Sequence, residues 1–160
     1  MNRILMTLIL LAVPVRGWGQ VAEKPFRYDG NWYGFTNLGA CMHGYGLFGG
    51  GLGAEGLLWK GITAGVDTSY QSFTDGWHFG MASVQLGYHF VNRNKRAKWD
   101  PFATYGVGIG FTEGGYGGSG NLGGGFNYWF KDRIALRVEA RIHGVAGEVI
   151  VTGRIGVSFR

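Results

Sequence analysis

Side-chain character in this chain alternates with a period of two over long stretches, and that restricts those stretches to β-strands. From Arg133 to His143 one parity reads Arg133, Ala135, Arg137, Glu139, Arg141, His143, and the other Ile134, Leu136, Val138, Ala140, Ile142. A helix would scatter these charges around its circumference, whereas a strand puts them all on one face. The last segment does the same, with Val149, Val151, Gly153, Ile155, Val157 and Phe159 set against Glu148, Ile150, Thr152, Arg154, Gly156 and Ser158. Stretches starting at Ile62, Ala82 and Ala103 agree, and three less regular segments, roughly 31–41, 46–58 and 119–130, bring the expected number of strands to eight. Turn chemistry separates them at Ser72 to Gly76 and at Glu113 to Gly118.

Which face points inward follows from volume. The chain holds 32 Gly, 11 Phe, 8 Tyr and 6 Trp. A soluble barrel would place the glycine-rich face in water and crowd Tyr88, Phe90, Tyr105, Phe111, Phe126, Tyr128 and Phe130 into an interior that admits only modest side chains. Inverting it removes both conflicts, with glycines and polar groups inside and bulky apolar groups against lipid. The expected fold is therefore all-β, an eight-stranded antiparallel up-and-down transmembrane β-barrel. Aromatic residues near strand ends, Tyr33, Tyr70, Trp77, Tyr88, Phe90, Tyr128, Phe130 and Phe159, are expected to form the interfacial girdles. Glu55, Asp67, Arg137, Glu139, Arg141 and Arg154 face the lumen on this parity. Three acids against three bases predict a charge network there, with Glu139 and Arg154 as a cross-strand pair. A narrow polar conduit between the inward glycines is the alternative.

The start of the chain reads as a targeting segment. Arg3 precedes an apolar run from Ile4 to Val15, and Gly17-Trp18-Gly19 offers small residues for cleavage, so residues 1–20 are expected to be a signal peptide and 21–160 the barrel. The run is shorter than the roughly 20 residues of a spanning helix. Loss of Arg3 and Arg16 lowers the formal charge of +5 to about +3, which gives no reason to expect nucleic acid as a partner. Cys41 is the only cysteine, so no intrachain disulfide forms. Leu38-Gly39-Ala40-Cys41 looks like a lipidation box but lies too far from the signal's end to act as one.

Gly153-Arg154-Ile155-Gly156-Val157-Ser158-Phe159 resembles the last strand of bacterial outer-membrane barrels, whose insertion signal ends in an aromatic residue. Here Arg160 follows it. Arg133 to Arg141 resembles the penultimate strand of the small outer-membrane β-barrel domain family. That resemblance implies a cell outer-membrane location and insertion by the barrel-assembly machinery. Outer-membrane lipids and lipopolysaccharide would be the chain's surroundings, and a monomer its expected state. It also implies periplasmic termini, with the connections 41–46, 72–76, 112–118 and 144–148 outside. The basic stretch Arg93, Lys95, Arg96 and Lys98 then forms a periplasmic turn, read as a solvated turn rather than a contact to headgroups or cell wall.

Catalysis is not expected. Lipid A deacylase barrels carry His-x-Ser near the end of the penultimate strand together with an acid. In this chain His143-Gly144-Val145 is followed by Glu148, and the serine position is Val145, so the nucleophile is missing. His43, His78 and His143 fit no metal-binding spacing. Gly51-Leu52-Gly53-Ala54-Glu55-Gly56 matches a dinucleotide fingerprint, but no helix follows, so strand glycines explain it and no cofactor is expected. The reading is an integral barrel of structural or interaction type. A narrow pore for small solutes is the alternative, and lipid A modification ranks third.

Overall fold

Alternation becomes architecture in the computed structural model, which describes residues 28–92, 96–112, 114–145 and 147–160. The signal segment 1–20, Arg93 and Lys95 lie outside the described residues. Eight antiparallel strands follow in chain order: β1 (Gly30–Cys41), β2 (Gly46–Trp59), β3 (Ile62–Phe73), β4 (His78–His89), β5 (Trp99–Thr112), β6 (Gly115–Lys131), β7 (Ile134–Val145) and β8 (Glu148–Phe159). Each pairs with its neighbour, and β8 returns to β1, so the sheet closes into an up-and-down barrel without a free edge.

The outer face is a continuous apolar wall. Leu52, Val66, Val84, Val107, Leu122, Ile142 and Ile155 all project outward and exposed, one from each of seven successive strands. Water would not tolerate a patch encircling the molecule, and hydrocarbon would. The strand lengths, 12 to 17 residues, exceed the roughly 9–11 that a tilted strand needs to span a bilayer.

One rim carries Tyr28, Arg160 and the connections 60–61, 90–98 and 132–133. The other, the mouth, carries 42–45, 74–77, 113–114 and 146–147. Lys60 and Gly61 both have positive φ, 43° and 93°, the mirror-image turn that suits the twist of a tight hairpin. Bulges at Leu57/Trp59 and Trp129/Lys131 interrupt the registers near the same rim. They fall at the ends of segments 46–58 and 119–130, whose irregular pattern comes from glycines on both parities.

The connection expected at 112–118 is much shorter. Phe111 pairs with Tyr116 and Ile109 with Gly118, so Gly115 to Gly118 already belong to β6. Glycine brings no side chain to announce a strand, and the backbone ladder runs on regardless.

Candidate functional site

The lumen is filled, and every strand contributes. Arg154 on β8 donates to Asp67 on β3 through Nη1, at 3.3 and 3.0 Å from its two oxygens. Arg141 on β7 lies 3.5 Å from the same carboxylate and donates from Nε to Glu139 at 2.6 Å. Arg137 bridges Glu139 and Glu55, with both distances 3.3 Å. Glu55 on β2 is 3.3 Å from His89 Nε2, and His89 Nδ1 is 2.7 Å from Asp100 on β5. Asn127 on β6 then donates to Asp100 at 3.1 Å and accepts from Ser158 at 3.0 Å. Tyr33 on β1 completes the circuit, donating to Asp67 at 3.2 Å and accepting from Gln85 at 2.6 Å.

The six charges expected in the lumen, Glu55, Asp67, Arg137, Glu139, Arg141 and Arg154, are thus placed in one network, but their pairing differs from the expected one. Glu139 and Arg154 are direct cross-strand partners, yet Arg154 reaches Asp67 while Glu139 takes Arg137 and Arg141. A long guanidinium spans the lumen more easily than it bends to the adjacent strand. His89 and Asp100 extend the network beyond the six. His89 Nδ1 is hydrogen-bonded to Asp100, while its Nε2 lies near Glu55 without a hydrogen bond.

Two aromatic assignments are corrected. Tyr33 is not in a girdle. It is fully buried in the lumen with the Arg137 guanidinium 4.0 Å above its ring, and Phe102 lies equally close to that guanidinium. Gly53 makes this possible, because a Cβ there would stand 2.3 Å from Tyr33 Cζ. Trp77 lies in the connection between β3 and β4 and leans on inward-facing Phe73 and Phe79, at ring distances of 5.4 and 6.1 Å, so it belongs to the mouth. Tyr70, Tyr88, Phe90 and Phe130 project outward and exposed. Tyr128 packs on Trp99 at 4.9 Å, and Phe159 stacks on Trp32 at 4.3 Å.

Above the charges lies an apolar layer of Leu47, Phe73, Phe79, Met81, Val145 and Ile150, with Cys41 packed against it. Below them Tyr28, Trp129 and Ala135 close the other end. Burial holds the Tyr28 phenol above its ordinary pKa, and burial also lowers that of Arg160, whose guanidinium covers the Trp129 ring at 3.9 Å. In the basic turn, Arg96 pairs with Asp132 at 2.6 Å, and the Lys98 carbonyl accepts from the Trp129 amide.

The mouth encloses a cavity of about 590 Å³ that ends on the apolar layer. Phe73, Trp77 and Tyr45 wall it, and Asp75, His43 and Glu148 stand at its edge, with His43 Nδ1 2.8 Å from Glu148. His143 lies elsewhere. It is buried in the lumen beside Thr152, at 3.3 Å. His143 thus contacts Thr152 in the lumen, while Glu148 lines the mouth cavity with His43. Among the described residues no set of three histidine, cysteine or carboxylate side chains is placed to hold a metal.

No family model and no curated protein sequence matches the chain. Solved structures do match it in shape. Neisserial surface protein A superposes with a TM-score of 0.65 at 10% identity, over 81% of this chain and 94% of that one. The outer-membrane enzyme PagL gives 0.60 at 15% identity, over 80% and 99%. The outer-membrane protein OprG from Pseudomonas aeruginosa gives 0.57 at 10%, over 86% and 98%. The chain shares the fold of small eight-stranded outer-membrane barrels. At such identities the likeness is of fold alone, and the neighbours include a surface protein and an enzyme.

Proposed function

We propose that this chain is an integral outer-membrane barrel of structural or interaction type whose lumen does not conduct. The observation that carries the reading is the burial of the central layer. Asp67, Arg137, Glu139, Arg141 and Arg154 are each at most 2% exposed, so no path wide enough for water passes them. An open pore would wet the side chains that line it. The apolar wall supports a bilayer as its surroundings, and export by the segment 1–20 would bring it there. Outer-membrane lipids and lipopolysaccharide are then its environment, and the barrel-assembly machinery its partner during insertion. Catalysis forms no part of this reading, because Val145 stands where a nucleophile is required and Glu148 is engaged by His43.

Planar-bilayer recording on the purified mature chain tests it. Membranes that stay at baseline conductance are expected, from a protein that migrates faster on gels unboiled than boiled. Reproducible unitary steps would overturn the closed lumen. One observation favours a gated pore as the second reading. The side-chain amides of Asn37 and Asn121 and the hydroxyls of Ser83 and Ser119 are buried without a protein partner, and groups of this kind are served by internal water. A conducting state would need the arginine layer to part.

A further inference from the structure

The mouth cavity has the dimensions of a ligand site. Small-molecule pockets run from roughly 300 to 1,000 Å³ and combine apolar walls with a few polar groups, and this one, at about 590 Å³, follows that pattern. Its floor is hydrocarbon and aromatic, from Phe79, Val145 and Ile150. Its rim carries two carboxylates, Asp75 and Glu148.

Charge placement narrows the ligand class. Every lysine and arginine among the described residues lies either in the centre of the lumen or at the opposite rim, where Lys60, Arg96, Lys98, Lys131, Arg133 and Arg160 are found. None lines the cavity. One oxygen of Asp75 accepts from the Trp77 amide at 3.1 Å, and one oxygen of Glu148 meets His43, so each of these lining carboxylates keeps a second oxygen outside those contacts. The faces of Trp77 and Tyr45 add the negative quadrupole of an aromatic ring. Anions are disfavoured here, and a fully apolar molecule would make no use of the free oxygen on each acid.

We propose that the mouth binds a small amphipathic organic cation. An ammonium group would sit between Asp75, Glu148 and the Trp77 ring, with an aryl or alkyl body on Phe73, Phe79 and Ile150. The site is built from this rim alone and does not depend on which side of the membrane the rim faces, so it stands or falls apart from the envelope role above.

Cys41 provides the test, since it is the chain's only cysteine and lines the same cavity. The mature protein in discs of zwitterionic lipid is treated with a thiol-reactive thiosulfonate, in the presence of 4-phenylbutylamine, 4-phenylbutanol or 4-phenylbutyrate. The amine is expected to protect Cys41 saturably, slowing labelling about tenfold at saturation, while the carboxylate leaves the rate within about twofold. Replacing Asp75 and Glu148 together by Asn and Gln should erase the amine's advantage. Equal protection by all three probes would overturn the proposal, leaving an apolar crevice without charge selection. So would absence of protection by the amine, or amine protection that survives in the double variant. The comparison of probes on the unaltered chain needs no variant to fold, and heat-dependent gel migration checks that the double variant has done so.

Discussion

Glu139 and Glu148 lie on the same β7–β8 hairpin, yet the barrel treats them in opposite ways. Glu139 is buried and touched by two arginines, with Thr104 donating to it at 3.4 Å. Glu148 stands at the mouth, its side chain 42% exposed, with a solvated histidine as its partner. In the centre a carboxylate is a structural part, since a buried charge that loses its partner becomes a liability. At the mouth the same group sits in high dielectric, contributes little to stability and remains available to something that arrives from outside. Charge alone therefore does not mark a functional site in this barrel. The partner provided by the fold makes the distinction.

The sharpest way to break that contrast is Arg137→Ala, which leaves Glu55 and Glu139 buried without it. A loss of about 3–5 kcal/mol is expected, read as the shift of the urea midpoint in lipid vesicles. A loss below about 1 kcal/mol would put the centre in the same class as an exposed pair. Next comes the wall around the centre. Val84→Arg places a cation on the outer face at mid-strand and should cost about 2–4 kcal/mol in a bilayer. Indifference to that change would mean the face does not meet hydrocarbon. Gly53→Ala sharpens the picture of a packed lumen. Its methyl group would run into the Tyr33 ring, and about 1–3 kcal/mol of destabilisation should follow. A neutral result would show that the interior has slack. The smallest effect belongs to Glu148→Gln, which should leave stability within about 0.5 kcal/mol of the unaltered chain. A large loss there would move Glu148 into the structural class with Glu139.

The sequence disclosed the fold best where the two faces differ most in polarity. β7 and β8 have charges on one parity and aliphatic residues on the other, and both were legible in full. β1 was not, because Trp32, Tyr33 and Phe35 are aromatic on both parities and nothing in their polarity says that Tyr33 points inward. That orientation is selected by Gly53 across the ladder, Asp67 two strands away and Arg137 across the lumen. The lumen charges were legible as a set but not as pairs, since Arg154 with Asp67 and Arg137 with Glu55 bridge strands that are not neighbours. Asp100 carries no sequence signal because it falls between a basic turn and Pro101, at the very start of β5, where alternation has barely begun. The mouth cavity depends on residues from two connections and five strands meeting in space, which no local pattern encodes.

Closure has a consequence for how such a chain comes into being. The ladder between β1 and β8 runs from Trp32 opposite Phe159 to Cys41 opposite Ile150, so the first strand to be synthesised waits for the last. Until they meet, two rows of backbone amides and carbonyls have no partner, and hydrocarbon penalises each of them by several kcal/mol. Joining ends this distant in sequence also carries the greatest loop-closure entropy in the molecule. Unassisted entry into a bilayer strand by strand would carry that cost at both open edges. Pairing of β1 with β8, at the seam where Trp32 stacks on Phe159, is what removes both edges at once.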